Sequence, residues 1–335
     1  MDQFSAHIDR GWELVQNGDT RGAATSAHEA LQLDPQSPEA HHLLGYVAAL
    51  ENEPYDAIEY YRQAIALDDT YLEAMLNAAE VYIHPLAQYE NAIDMCEQAL
   101  SLAESDEEVI DTLLIMFDAT LNKGDVATAK SIALRFPSGP YENPDHIFLV
   151  GRAFFEIGDT VAAKPLIEQA TQSDQSNGEA WYYLGLVRDS LGDHNSATRA
   201  FLHARELDFQ EPQPWTTPKA TFLETVRTAI QDLSPNLKTI IEQAEIYLAE
   251  APGIELVVDG VDPRALLLLD SITAANNQPK CEHIFVYQKN IERVAGTPDL
   301  LETTIAETLE REIQSAIIEA SDREPNNTLS DTIPL

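Results

Sequence analysis

The feature that most constrains the fold of this chain is an alanine that recurs at nearly constant intervals between residues 23 and 197. The successive intervals are 34, 35, 37, 34 and 34 residues. The recurring residues are Ala23, Ala57, Ala92, Ala129, Ala163 and Ala197. A period of this length is typical of chains built from stacked supersecondary units, because one unit alone cannot cover its own apolar face. The sequence therefore predicts a repeat array.

The clearest unit of the array is the stretch 181–208, which has the pattern of a helical hairpin. Its first half places apolar and small residues three or four positions apart, so they share one helix face, and Gly185 leaves room there for a second helix. A glycine and an aspartate at 192–193 mark the turn. The second half places Phe201 between two alanines on one face, which predicts that its ring lies beside the glycine.

This hairpin resembles the tetratricopeptide repeat, whose pattern is W-x2-L-G-x2-Y, then A-x3-F, then a late proline. The matching residues are Trp181, Leu184, Gly185, Ala197 and Phe201. Arg188 replaces the tyrosine, and Phe209 stands near the proline position. Over residues 4–208 the resemblance implies a right-handed superhelix of six hairpins with a concave groove. The hairpins are predicted near 4–34, 38–68, 72–102, 106–136, 144–174 and 178–208.

The resemblance also assigns ten first-helix residues to the groove. They are Ile8, Trp12, His42, Tyr46, Leu76, Glu80, Phe148, Arg152, Tyr182 and Leu186. The set is mainly aromatic and apolar, with few charges. Repeats of this family that clamp a C-terminal carboxylate use lysine, asparagine and arginine at these positions, and only Arg152 fits that pattern. We therefore predict instead that the groove binds an extended or helical peptide with apolar anchors. The alternative, that several of these aromatic side chains pack between neighbouring repeats, stays open.

The charge of the chain narrows the class of partner. Acidic residues number 57 and basic residues 20, for a formal net charge of −37. Such a surface repels nucleic acid and anionic membranes and favours a basic partner. An acidic surface also keeps proteins in solution, so the charge by itself identifies no partner.

The sequence also gives expectations about compartment. The longest apolar runs, such as 265–269, fall well short of the about 18 residues that cross a bilayer, and the N-terminus does not resemble a signal peptide. Cys96 and Cys281 are far apart and neither lies in a C-x-x-C motif, so two reduced thiols are expected rather than a disulfide or a zinc site. We therefore predict a soluble, cytoplasmic protein.

A different composition begins after the last hairpin. Three prolines occur in the nine residues 210–218, which predicts a linker over 209–218. Residues 219–320 then predict a small α+β domain, and residues 321–335 a flexible tail. The predicted strands are 244–250, 265–269 and 283–287, and the predicted helices are 222–233 and 300–320.

The order of these elements resembles the minimal zincin-like metallopeptidases. The resemblance rests on the stretches 222–235, 245–252, 262–270 and 283–295. In that family a later helix carries H-E-x-x-H, whose two histidines bind one zinc ion. Here only Glu312 matches, because Arg311 and Ser315 stand where the histidines belong. The resemblance therefore implies an inactive domain with no metal, no cofactor and no catalytic residue.

These observations predict a non-enzymatic interaction protein, in which an all-α tetratricopeptide array binds a protein or peptide and a degenerate zincin-like domain offers a second binding surface. Two alternatives stay open. One is a zinc-dependent peptidase with unconventional metal ligands. The other is a C-terminal domain that caps the last repeat. The zincin resemblance also favours a bacterial source.

Overall fold

The computed structural model describes residues 2–270, 273–275 and 278–322. In these ranges it contains seventeen α-helices and five β-strands. The chain divides into two compact units, one within residues 1–174 and the other within residues 175–335. The predicted tail lies outside the described residues from residue 323 onward.

The first unit consists of five helical hairpins. Its helices are α1 (Gln3–Gln16), α2 (Thr20–Leu33), α3 (Pro38–Leu50), α4 (Pro54–Leu67), α5 (Leu72–Ile83), α6 (Tyr89–Leu100), α7 (Asp106–Asn122), α8 (Val126–Ala133), α9 (Pro144–Glu156) and α10 (Thr160–Ser173). Each second helix packs against its own first helix, and α2, α4, α6 and α8 also pack against the first helix of the following hairpin. Each hairpin therefore covers part of the next, and the buried residues form one cluster around α2 and α3 and a larger one from α4 to α9.

The turns inside the hairpins follow from a glycine and aspartate pair. Gly18 adopts φ 76°, a left-handed conformation that glycine reaches without strain. The carboxylate of Asp19 then accepts a hydrogen bond of 2.9 Å from the backbone N–H of Gly22, which caps the start of α2. The pairs at 124–125 and 158–159 repeat this arrangement. In the third hairpin Ala87 takes the left-handed position, at φ 51°.

A close approach between paired helices is a feature of the second and fifth hairpins. A Cβ atom added to Gly45 in α3 would lie 2.6 Å from the ring of Tyr61 in α4, far inside van der Waals contact. The Tyr61 side chain is fully buried. A Cβ atom added to Gly151 in α9 would lie 2.8 Å from the side chain of Ile167 in α10. The small first-helix residue is therefore needed for the second helix to pack at this distance.

The second unit begins with a sixth hairpin and continues into an α+β region. Its helices are α11 (Gly178–Ser190), α12 (His194–Gln210), α13 (Lys219–Asp232), α14 (Pro235–Ile241), α15 (Ile254–Val258), α16 (Gln288–Ala295) and α17 (Leu301–Asp322), with a 3-10 turn at Pro298–Leu300. Its strands are β1 (Glu245–Ala249), β2 (Leu267–Asp270), β3 (Thr273–Ala275), β4 (Gln278–Lys280) and β5 (His283–Tyr287). The three predicted strands are β1, β2 and β5. Helices α14, α15 and α16 and the β3–β4 ribbon are not predicted.

A three-stranded sheet organises the α+β region. Its order is β1-β5-β2, with β1 parallel and β2 antiparallel to β5. Alternate residues along a strand face opposite sides, so one face of the sheet is apolar and packs with α13 and α17 into a single core. The sheet residues of this core are Ile246, Leu248, Leu267, Leu269, Ile284 and Val286.

The segment predicted as a linker, 209–218, lies inside the second unit and is packed. The indole N–H of Trp215 donates a hydrogen bond of 2.7 Å to the carbonyl of Gly296. The backbone N–H of Thr217 donates one of 2.8 Å to the buried carboxylate of Glu292. The prolines mark the end of α12, as the composition indicates, but the compact units divide between residues 174 and 175.

We expect the substitution Gly45→Ala to destabilise the protein. Alanine is the better helix former by about 0.5–1 kcal/mol, but here its Cβ would overlap the Tyr61 ring, which costs about 1–3 kcal/mol in a packed core. The free energy of unfolding, measured by urea denaturation, should therefore fall. A variant as stable as the wild type or more stable would contradict this packing.

We expect the substitution Ala87→Gly to stabilise the protein, in contrast to Gly45→Ala. Relief of the left-handed conformation of Ala87 should raise the free energy of unfolding by up to about 1 kcal/mol. The control is Ala66→Gly at an exposed position of α4, where the same change should cost about 0.5 kcal/mol. Urea denaturation of the two variants should give changes of opposite sign, and equal losses would show that the turn at Ala87 is not strained.

Candidate partner-binding surface

The first helices of the hairpins form one layer of the first unit. Helices α1, α3, α5, α7 and α9 pack against one another in succession, and each second helix lies to one side of this layer. Side chains of neighbouring first helices therefore meet at a separation of one repeat. We call the surface formed by these five helices the first-helix face.

An aromatic cluster occupies the N-terminal part of the first-helix face. The ring of Trp12 in α1 lies 5.4 Å from that of His42 and 5.3 Å, edge-on, from that of Tyr46, both in α3. Both Trp12 and Tyr46 keep part of their surface exposed. Partly exposed aromatic side chains on a rigid helical layer are typical anchors for a bound segment.

His42 belongs to the packing between hairpins. It is 5 % exposed, its Nδ1 lies 2.8 Å from the hydroxyl of Tyr71, and its Nε2 lies 2.7 Å from the amide nitrogen of Asn77. Burial lowers the pKa of His42 to about 4, so the imidazole is neutral near pH 7. These contacts leave His42 little surface for a partner.

A carboxylate cluster follows along the same face. His146 Nε2 lies 2.8 Å from Asp111 Oδ1, one repeat earlier. Arg152 donates hydrogen bonds of 3.3 and 3.4 Å to the two carboxylate oxygens of Asp118. Glu80, in α5, adds a further carboxylate on the side toward α7.

The electrostatics of this cluster favour an incoming cation. Burial raises the pKa of Asp118, and the Arg152 guanidinium partly offsets that effect. Although Glu80 keeps an exposed surface, desolvation by the helices packed around it, together with the charges of Asp111 and Asp118, raises the pKa of its carboxyl. A raised carboxyl pKa means that negative charge is held at a free-energy cost, which a bound lysine or arginine would relieve.

The ten residues predicted for the groove do not share one environment. Phe148, at 7 % exposure, and His42 are buried in the packing between helices. Glu80 is exposed. The remaining members of the first unit, all partly exposed, are Ile8, Trp12, Tyr46, Leu76 and Arg152. Tyr182 and Leu186 lie in the second unit, where the hydroxyl of Tyr182 donates a hydrogen bond of 2.7 Å to Asp262.

Asp111 and Asp118 add negative charge to the C-terminal part of the face, and neither is among the ten residues predicted for the groove. Both lie on α7, whose hairpin lacks the first-helix glycine that aligns the other repeats. The sequence nevertheless contains a signal for both aspartates in the repeat period. Counting one period back from the predicted Arg152 reaches Asp118, and counting back from His146 reaches Asp111.

The residues aligned with a metallopeptidase motif lie on the outer side of α17. Arg311 and Ser315 are exposed, and Arg311 donates hydrogen bonds of 3.1 and 3.0 Å to Glu312. The intervening Ile313 faces the core. Across residues 2–270, 273–275 and 278–322, no three His, Cys, Asp or Glu side chains are grouped so that they could hold a metal ion. Nor does any helix in those ranges have the length and apolar composition to cross a bilayer.

The hairpin geometry, the glycine and aspartate turns and the one-repeat spacing of side-chain contacts are features of tetratricopeptide repeats. Two sequence models, both described as Tetratricopeptide repeat, match the chain, one over residues 8–71 and 149–209 and the other over residues 72–106. Tetratricopeptide repeats are thereby confirmed within these matched ranges. Residues 107–148, between the matched ranges, contain the hairpin of α7 and α8.

Among known proteins, the chain is similar to the type IV pilus assembly protein PilF of Pseudomonas aeruginosa. The identity is 36 % over 87 residues, which are 26 % of this chain and 34 % of PilF, so the match spans about a third of that relative. A structure of Pseudomonas aeruginosa PilF superposes with a TM-score of 0.53 at 22 % identity, covering 61 % of this chain and 91 % of PilF. A structure of PilW, a type IV pilus biogenesis factor, superposes with a TM-score of 0.54 at 15 % identity, covering 63 % of this chain and 95 % of PilW. These likenesses show the fold.

We expect Glu80→Gln to stabilise the protein at neutral pH. Because the pKa of Glu80 is raised in the folded chain, its ionisation costs stability above that pKa, and the cost disappears as the pH falls and the carboxyl is protonated. The gain in the free energy of unfolding should therefore be present at pH 7 and shrink toward pH 4. Urea denaturation across this range measures it, with exposed Glu13→Gln in α1 as the control. A loss of stability at pH 7 would contradict the argument.

Proposed function

We propose that this protein is a non-enzymatic interaction scaffold whose first-helix face binds a protein or peptide segment with basic side chains beside an apolar anchor. The observation that carries the proposal is the placement of the aromatic and carboxylate clusters along one layer of helices. Trp12 and Tyr46 offer an apolar, partly exposed surface, and Glu80, Asp111 and Asp118 follow on the next two first helices. A segment lying along these helices would meet both clusters.

The charge of the first unit supports a basic partner. Residues 1–174 contain 31 acidic and 8 basic residues. On the first-helix face, Arg152 is the cation bound to Asp118, and the carboxylates outnumber it. Surface charges act over about 8 Å at physiological salt, so the carboxylates of adjacent hairpins act together on one bound segment.

The C-terminal region enters the proposal as a non-catalytic domain. Its zincin-like descent is supported by the order of its elements and by Glu312, whereas Arg311 would place a fixed positive charge at the first metal-ligand position. The alternative, a zinc peptidase with unconventional ligands, is not favoured by any grouping of ligand side chains in the described part of the chain. The sequence match to PilF spans 34 % of that protein, so the assembly role of PilF is not carried over.

A cytoplasmic location is also part of the proposal. It is supported by Cys96 and Cys281, which are both buried and both free. Such thiols are typical of proteins kept in a reducing compartment.

The proposal is tested by selecting peptides from a random display library on the full chain. We expect the selected sequences to be enriched in lysine and arginine next to an aromatic or aliphatic residue. Their dissociation constants, measured by fluorescence anisotropy, should rise about tenfold or more for Asp111→Lys together with Asp118→Asn, because the attracting carboxylates are lost. Trp12→Ala should weaken binding through loss of the apolar anchor.

The matched control is Glu13→Lys, a charge change at an exposed position of α1. It should change affinity much less than the variants of the carboxylate cluster. Selection of acidic peptides, or equal effects of the cluster variants and the control, would overturn the proposed surface.

A further inference from the structure

An aspartate ends the second helix of several hairpins and turns the chain toward the next one. The carboxylate of Asp34, after α2, accepts a hydrogen bond of 3.0 Å from the backbone N–H of Gln36. The carboxylate of Asp68, after α4, accepts bonds of 2.9 and 2.7 Å from the N–H and hydroxyl of Thr70. These contacts are local, and they stabilise the turn that leads into the following hairpin.

Asp208 occupies the same repeat position in the sixth hairpin but makes different contacts. Helix α12 continues past it to Gln210, so no turn forms at Asp208. Arg264 binds its carboxylate with two bonds of 2.9 Å, and Arg293 adds an ion pair at 3.0 Å. Only 12 % of the Asp208 side chain is exposed. Burial alone would raise the pKa of Asp208, but the bonds from both guanidiniums outweigh it and hold that pKa below its ordinary value.

The first helix of the sixth hairpin meets the same segment of the α+β region. Arg264 also forms an ion pair of 2.7 Å with Glu179 and lies 4.3 Å over the ring of Tyr182. The Tyr182 hydroxyl donates its hydrogen bond to Asp262, two residues before Arg264. Both helices of the hairpin are therefore held by residues 262–264.

Helix α12 makes further contacts with this region. Arg205 donates a hydrogen bond of 2.8 Å to the carbonyl of Pro252. Lys289 donates one of 2.7 Å to the carbonyl of Asp208, and its ammonium group lies 5.0 Å from the ring of Phe209. The contacts thus come from three separate parts of the α+β region, at residues 252, 262–264 and 289–293.

The second hairpin shows which residue contacts the position of Tyr182 when another hairpin follows. Tyr182 precedes Gly185 by three residues, as His42 precedes Gly45 in the second hairpin. His42 is contacted by Tyr71, which stands at the start of the next hairpin. In the sixth hairpin, Asp262 and Arg264 make the corresponding contact.

We propose that residues 219–322 take the place of a further hairpin and cap the sixth hairpin, with Asp208 converted from a turn residue into the attachment point for Arg264 and Arg293. Terminal repeats need such a cover, because the apolar end of the last hairpin has no following repeat. The end of the sixth hairpin is thus an interaction surface whose partner belongs to the same chain. This inference goes beyond the proposed scaffold function, and it takes Tyr182 out of the surface open to other proteins.

The test is hydrogen exchange of the full chain carrying Asp208→Asn, with Asp68→Asn as the matched control. The first variant removes the charge that holds both arginines and leaves them poorly compensated, so the slowest amides of α11, α12 and α16 should all exchange about tenfold faster or more. Asp68→Asn removes only a local turn contact and should leave these three helices unchanged.

Tyr182→Phe provides a milder variant in case Asp208→Asn does not fold. It removes only the hydroxyl that binds Asp262 and keeps the ring under Arg264. It should accelerate exchange in α11 and α12 by a smaller factor. Faster exchange confined to residues 219–322, or no change beyond that of Asp68→Asn, would overturn the capping role.

Discussion

The fold depends on the close approach of two helices at a small residue. In the second hairpin, the Tyr61 ring fills the space that any side chain at position 45 would need, so the two helices share one fixed spacing. The ring is fully buried, which provides much of the apolar contact of that hairpin. The same close approach recurs at Gly151 with Ile167 and at Gly185 with Phe201, so these hairpins share a similar helix spacing.

Regular stacking also explains the surface we propose for partner binding. When neighbouring first helices are held in one register, side chains one repeat apart become neighbours. The pairs His42 with Asn77 and Asp111 with His146 are separated by 35 residues, and Asp118 with Arg152 by 34. The repeat period therefore fixes the positions of the polar side chains as well as the core, and it brings carboxylates from separate hairpins onto one face.

The sequence predicts the elements better than the surfaces. The hairpins, the three main strands and α17 follow from periodicity and from glycine and aspartate turns, which are local signals. Helices α14, α15 and α16 and the contacts of Trp215 depend on tertiary packing. The three prolines of residues 210–218 predict an interruption of the helix, but they do not predict how that segment packs. For the candidate site, the assignment of first-helix residues to the groove includes Trp12, Tyr46 and Arg152, which are partly exposed. It also includes Phe148, and no local pattern shows that this side chain is buried. Asp111 was missed because its hairpin lacks the aligning glycine.

From these features we propose a scaffold whose repeats recognise one segment of a partner and whose last hairpin is covered by its own C-terminal region. The most direct test is a crystal structure of the full chain with a basic peptide selected on it. The account predicts an apolar peptide side chain against Trp12 or Tyr46 and a lysine or arginine within ion-pair distance of Asp111 or Asp118. A peptide bound to α13–α17, with the first-helix face empty, would contradict it.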